Sequence, residues 1–205
     1  MLCSSGCGVG GVPAWKFRGS ISSKITPPRA SWCSVMNPDL LIGRLAVFAL
    51  SLRQLLVELD PQDARWRPPD GGWSVLEIIC HLADEEREDF RGRLEYVLGG
   101  SKGELRSIDP EGWIESRGYN EMDFGRCLER FCVERRLTVS WLRSLKHPDW
   151  QASIEHPKLG IISAGDLLAS LAAHDALHMR QISSRFHSLA LRDAPGFSVS
   201  YAGSW

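Results

Sequence analysis

The sequence lacks several features that would narrow its function at once. Its 205 residues contain no uninterrupted apolar run close to the ~20 residues that a membrane span requires, so we expect no membrane partner. Neither sign of charge is in excess: 24 basic and 25 acidic residues leave a net charge of −1, which argues against a nucleic-acid partner. A Walker loop, a Gly-rich dinucleotide turn and an internal repeat are also missing. With 43% hydrophobic residues, the chain is long enough for one soluble domain with a sizeable core.

Paired cysteine motifs are absent as well. None of the six cysteines forms a C-x-x-C pair; three lie in the first 35 residues and three in predicted helices: Cys3, Cys7, Cys33, Cys80, Cys127 and Cys132. This distribution does not predict a disulfide framework. We therefore expect reduced thiols in a cytoplasmic protein.

Residues 1–35 contain no acidic residue and are rich in Gly, Ser and Pro, so we predict a disordered N-terminal extension. Two interpretations stay open. A basic, serine-rich and acid-free leader has the composition of a transit peptide, although its glycines and prolines disfavour an amphipathic helix. Alternatively, translation begins at Met36 and the leader is a mis-assigned start.

From Met36 onwards, the spacing of apolar residues predicts four amphipathic helices. They span about residues 38–59, 75–98, 122–145 and 164–191. We expect loops at 61–72 and 101–121, and a short hairpin or extended cover near 154–162. Four helices of this length predict an all-α four-helix bundle over residues 36–195, followed by a frayed tail at 196–205.

Local capping signals support three of the helix starts. Asn37 followed by Pro38 is typical of an N-cap with proline in the first turn. Ser74 with Glu77 matches a capping box, and the segment from Ser163 to Asp166 has a similar pattern.

The stretch HDALHMRQI places His174 and His178 four residues apart in the last helix. Residues at this spacing lie only about 40° apart around a helix, so both imidazoles share the apolar face of Leu171 and Ile182. His187 is about 180° away from His178 and should point elsewhere. The pair is either part of a metal site or two packed, hydrogen-bonded core histidines.

His81 lies at one edge of the apolar stripe of the second helix. Glu85, Asp89, Gly92 and Tyr96 follow along the same edge. Such a strip fits the wall of a polar pocket and equally a solvated flank. Together with His174 and His178, His81 could hold a divalent first-row metal such as zinc, nickel or iron(II) and leave coordination positions open.

Several polar residues are candidates to assist these imidazoles. Asp175 replaces the glutamate of an H-E-x-x-H protease motif, so we expect it, with Gln181, to support an imidazole or a helix contact. Glu85 could reach the metal or a water, or pair with a surface arginine instead. Glu86 falls near the centre of the apolar stripe and should have a buried partner, for which the candidates are Arg180, Gln181 and Arg185.

The motifs GGWSVLEIICHLADEE and HPKLGIISAGDLLASLAAHDALHMRQI resemble the DinB-like (DinB/YfiT) superfamily of damage-inducible bacterial bundles, over about residues 37–190. The resemblance implies a four-helix bundle with a metal held by three histidines, which would be His81, His174 and His178. It also implies a possible homodimer, and roles such as thiol-dependent S-transfer with bacillithiol, mycothiol or glutathione.

Three functions follow from this combination. The first is a metal-dependent thiol S-transferase in stress response or detoxification. In this reaction the metal lowers the pKa of a low-molecular-weight thiol, and Glu85 or a metal-bound water accepts the thiol proton. The resulting thiolate then attacks a small-molecule substrate. The second is a metal-dependent hydrolase. The third is a non-catalytic, metal-stabilised interaction module, with Glu85 as a fourth ligand.

Overall fold

In a computed structural model, residues 36–102, 105, 107–156 and 159–203 are described. They form the predicted all-α four-helix bundle. Its long helices are α1 (Pro38–Leu56), a second helix made of α3 (Val75–Asp84) and α4 (Gly92–Leu98), α6 (Phe124–Ser144) and α7 (Ala164–Asp193). Helix α1 packs against α6 and α7, and α3 packs against the same two helices. The predicted extension at 1–35, with Cys3, Cys7 and Cys33, lies outside the described residues.

Short elements fill the predicted loops. A short helix α2 (Pro61–Arg65) occupies the first loop, where only loop was predicted, because Asp60 caps it and Pro61 starts it. Helix α5 (Trp113–Ser116) and a 3-10 turn (Tyr119–Glu121) occupy the second. The hairpin alternative is confirmed, since β1 (Ser153–His156) pairs antiparallel with β2 (Gly160–Ser163). The tail carries one 3-10 turn (Ser200–Ala202).

The predicted caps form. Asn37 Oδ1 accepts a hydrogen bond from the Leu40 amide, and both capping boxes are closed. In each box the serine hydroxyl accepts the amide hydrogen of the third helical residue, whose carboxylate accepts the serine amide hydrogen. These contacts fix where α3 and α7 begin and therefore set the positions of His81 and His174 along the bundle axis.

The second helix is not a regular α-helix throughout. Between α3 and α4, residues Glu85–Arg91 form a π-helical segment. A π turn closes i→i+5 hydrogen bonds and so takes more residues than an α turn, which shifts the phase of everything that follows. The polar strip predicted from His81 onwards therefore extends for one turn only, from His81 to Glu85. Beyond that turn, Asp89 pairs with Arg93, and Tyr96 packs against the hydrophobic core.

The core consists of two hydrophobic clusters with a polar layer between them along the helices. One cluster contains Leu52, Ile79, Phe131 and Ile182, and the other contains residues such as Leu45. On every long helix except α1, buried polar side chains occupy the interval between the two clusters: Glu85, Glu86, Arg135, Asp175 and His178. Within the described residues, no helix is long and apolar enough to cross a membrane.

Candidate metal centre

Three imidazoles and one carboxylate converge in the polar layer. His81 and Glu85 come from the second helix, and His174 and His178 come from α7. One ligand atom from each of the four residues can be chosen so that all lie within 4.8 Å of one another. The structure therefore brings together the three histidines that helical phase selected, and adds Glu85 to them.

The ring nitrogens and the carboxylate make short contacts. Glu85 Oε2 lies 3.0 Å from His81 Nε2 and 2.7 Å from His174 Nε2, and His174 Nε2 lies 2.9 Å from His178 Nε2. Ligands at about 2.0–2.1 Å from a tetrahedral zinc are separated by about 3.3 Å. Small side-chain adjustments would thus allow the four atoms to surround one divalent ion, and the donor set of nitrogens and one oxygen suits such an ion.

Burial and the neighbouring rings set the charge of the cluster. Burial disfavours the charged form of Glu85, but the contacts with His174 and His81 more than offset it and hold the pKa of Glu85 well below its ordinary value. Burial, together with the nearby His174 and His81, lowers the pKa of His178 to about 3. At neutral pH the cluster therefore offers an ionised carboxylate and, at His178, a neutral imidazole, which is the form that binds metal.

Gln181 fixes the orientation of one imidazole. Its Oε1 lies 2.6 Å from His178 Nδ1. An amide oxygen can only accept a hydrogen bond, so Nδ1 carries the proton and Nε2 keeps its lone pair directed at the cluster. Gln181 thus lies where it could support His178, and that role stays a prediction.

Of the two contacts expected for Asp175, with an imidazole or with another helix, the structure shows the second. The two Asp175 carboxylate oxygens accept hydrogen bonds of 2.6 and 2.7 Å from the Arg135 guanidinium, instead of orienting an imidazole. Nδ1 of His81 and Nδ1 of His174 are buried with no hydrogen-bond partner among the described residues. Asp175 thus anchors α7 to α6 beside the cluster.

The buried partner of Glu86 is Arg135, and the three candidates from the sequence are wrong. Arg135 Nη2 lies 2.9 Å from Glu86 Oε2, and both side chains are 1% exposed. Arg185 instead donates to the carbonyl oxygen of Trp73. The sequence did contain a signal for Arg135, because this charged residue interrupts the apolar stripe of α6 between Phe131 and Thr138.

Aromatic rings form the walls of the cluster. Trp73 lies 4.9 Å from His81 and Phe90 lies 5.1 Å from His174, measured between ring centroids. The His174 side chain is 19% exposed, whereas that of His81 is 6% exposed. Solvent therefore reaches the cluster from the His174 side.

Comparisons with known proteins identify what the chain resembles. The family model of the DinB superfamily matches residues 50–182. A protein from Oceanobacillus iheyensis, named as a candidate metal-dependent hydrolase, is 26% identical over 133 residues, which cover 65% of this chain and 76% of that protein. The solved structure of YfiT from Bacillus subtilis, described as a probable metal-dependent hydrolase with an unusual four-helix bundle topology, superposes with a TM-score of 0.67 at 21% identity. That match covers 77% of this chain and 91% of YfiT.

Proposed function

Because the chain belongs to the DinB superfamily, we propose that it is a metal-dependent hydrolase in which His81, His174 and His178 hold a divalent cation. The observation that carries this proposal is the convergence of the three Nε2 atoms and Glu85 Oε2 on one small volume inside the bundle. Three imidazoles and a nearby carboxylate are typical of catalytic zinc sites, which keep a coordination position open. The names of the two relatives support the hydrolase assignment.

When bound, the metal would supply Lewis-acid chemistry, acidifying water and polarising a carbonyl or phosphoryl oxygen. The chain itself supplies the base. Glu85 is ionised and 10% exposed in its side chain, and its Oε2 faces the histidine nitrogens. We assign Glu85 the role of accepting the proton of the attacking water and returning it to the leaving group.

Other residues position these groups. Gln181 holds His178 in the tautomer that binds metal, and Trp73 packs against the His81 ring. A small-molecule substrate would enter from the His174 side, the most exposed part of the cluster. The free state of Cys80, Cys127 and Cys132 supports the predicted cytoplasmic location. The homodimer and the role in stress response or detoxification stay predictions from the family resemblance.

The thiol S-transfer suggested by the sequence is the alternative reaction of the same centre, and one assay separates the two. Protein loaded with zinc, nickel or iron(II) is offered aryl ester, amide and phosphoester substrates, with and without a low-molecular-weight thiol. We expect metal-dependent release of product without thiol. Turnover that needs both metal and thiol would replace the hydrolase with a transferase, and no turnover under any condition would contradict both.

Glu85→Gln tests the role of the carboxylate, because glutamine is nearly isosteric and cannot act as a base. We expect at least about a 100-fold loss of kcat, the usual contribution of a general base, with metal content retained. Loss of the metal from this variant would make Glu85 a fourth protein ligand and favour the non-catalytic interaction module. Glu88→Gln, on the same π-helical segment but paired with Arg117, is the matched control.

A further inference from the structure

Three sulfur atoms meet outside the histidine cluster, between α3 and the start of α6. Cys80 Sγ lies 3.0 Å from Cys127 Sγ, and Met122 Sδ lies 3.8 Å from each of them. Both thiols are free, and both cysteines are buried. No part of the proposed hydrolase mechanism uses these residues.

The triangle of sulfurs has the size of a trigonal metal site. By plane geometry, the point equidistant from the three atoms lies about 2.1 Å from each sulfur, close to the ~2.3 Å typical of a metal–thiolate bond. An outward shift of about 0.2 Å by each of the three sulfur atoms would bring all three distances to that value. The two thiols come from α3 and α6, which are already packed together, and Met122 lies two residues before α6, so the site is largely preformed.

The ligand types select a soft ion. Thiolates and thioethers favour Cu(I), whereas structural zinc sites use four ligands drawn from thiolate, imidazole and carboxylate, which do not include a methionine sulfur. Two thiolates and one Cu(I) carry a net charge of −1, which needs a cation nearby. A cation lies beside the site: Arg130 Nη2 is 3.4 Å from the carbonyl oxygen of Cys80, although it shares its charge with Asp84, whose Oδ1 lies 3.1 Å away.

The site also has an entry route. A surface cavity of about 300 Å³ is lined by Met122, Asp123, Arg126, Cys127 and Arg130. Two of the three sulfur residues therefore border the cavity, and the fully buried Cys80 is reached through Cys127, whose Sγ lies 3.0 Å from its own. A methionine at such an opening is flexible enough to hand an ion from the surface to the two thiols.

We propose that Cys80, Cys127 and Met122 form a binding site for one Cu(I) ion, separate from the histidine centre. Binding converts both thiols to thiolates, so that each Cu(I) bound releases two protons to solvent and no change of oxidation state occurs. The thioether of Met122 binds as a neutral third ligand.

The experiment is an anaerobic titration of the full-length protein with Cu(I), in competition with a chromogenic Cu(I) chelator. Cys3, Cys7 and Cys33 are first replaced by serine, because they lie outside the described residues and could bind copper themselves. The histidine centre is filled with zinc beforehand. We expect one Cu(I) per chain, and X-ray absorption at the copper edge should show a shell of sulfur atoms.

Variants in the same background assign the ligands. Cys127→Ala should abolish chelator-resistant binding, and Met122→Leu, which nearly conserves volume, should weaken binding about tenfold. Cys132→Ala removes a half-buried thiol from the same helix and should change nothing. Thermal unfolding and zinc content of each variant show that the fold and the histidine centre persist.

Three results would overturn the proposal. They are a copper shell of nitrogen atoms, binding of undiminished strength in Cys127→Ala, and no copper retained against the chelator by fully reduced protein. A Cys80–Cys127 disulfide that forms in air, combined with the last of these results, would instead make the pair a redox-active dithiol.

Discussion

Arg135→Met should remove the ionic anchor that joins three helices beside the metal centre. The Arg135 side chain is 1% exposed, and its guanidinium contacts Asp175 at 2.6 and 2.7 Å, Glu86 at 2.9 Å and the carbonyl oxygen of Leu45 at 3.2 Å. Methionine fills similar space but leaves two buried carboxylates without a cation. Removing one partner of a buried ionic network typically costs about 3–5 kcal/mol.

For a domain of this size, that loss should lower Tm by roughly 6–20 °C. Arg136→Met is the matched control, because this neighbouring side chain is 67% exposed and lies 3.9 Å from Glu129. We expect the control to change stability by less than about 0.5 kcal/mol. Thermal and denaturant unfolding, followed by circular dichroism, measure both variants.

The stability lost in Arg135→Met should also depend on pH. Burial already raises the pKa of Asp175, although Arg135 opposes this, so removal of Arg135 should raise that pKa further. A carboxyl group whose pKa is higher in the folded state than in the unfolded state stabilises the fold when it is protonated, and this stabilisation is lost as the pH rises. The difference in unfolding free energy between Arg135→Met and the parent should therefore be smaller at about pH 5 than at about pH 7. Equal Tm values for Arg135→Met and Arg136→Met would refute the reasoning.

Three further predictions use the same unfolding and metal-binding assays. Gln181→Ala should weaken zinc affinity by about 10–100-fold, the usual effect of removing a residue that orients a ligand, and unchanged affinity would deny Gln181 that role. Tyr119→Phe should cost about 1 kcal/mol, because the Tyr119 hydroxyl donates a 2.7 Å hydrogen bond to the buried Asp84; an unchanged Tm would count against that bond. Chelation of the metal should lower Tm, because the free energy of unfolding falls by about 2.7 kcal/mol if zinc had been present at 100 times its Kd. An identical Tm with and without chelator would contradict binding to the folded chain.

Local signals were sufficient for much of the fold. The caps at Asn37, Ser74 and Ser163 involve contacts three residues apart, and the apolar stripes follow helical periodicity, so both are readable from the sequence. The same periodicity placed His174 and His178 on one inward face. These predictions depend on interactions within a single helix.

The remaining features depend on contacts between helices. The π-helical segment that begins at Glu85 changes the phase of the second helix, and no short-range sequence pattern predicted it. The pairing of Glu86 and Asp175 with Arg135 joins residues 49 and 40 positions apart, which requires the packing of α6 against its neighbours. The family resemblance pointed to the histidines but not to this anchor.

The most direct test of the central claim is the metal content of untagged protein, measured by elemental analysis. The parent should hold close to one divalent ion per chain, His81→Ala and His174→Ala should lose it, and His187→Ala, on the same helix as His174 but outside the cluster, should keep it. A parent that stays free of metal after incubation with zinc, nickel and iron(II) would contradict the account and leave three packed core histidines.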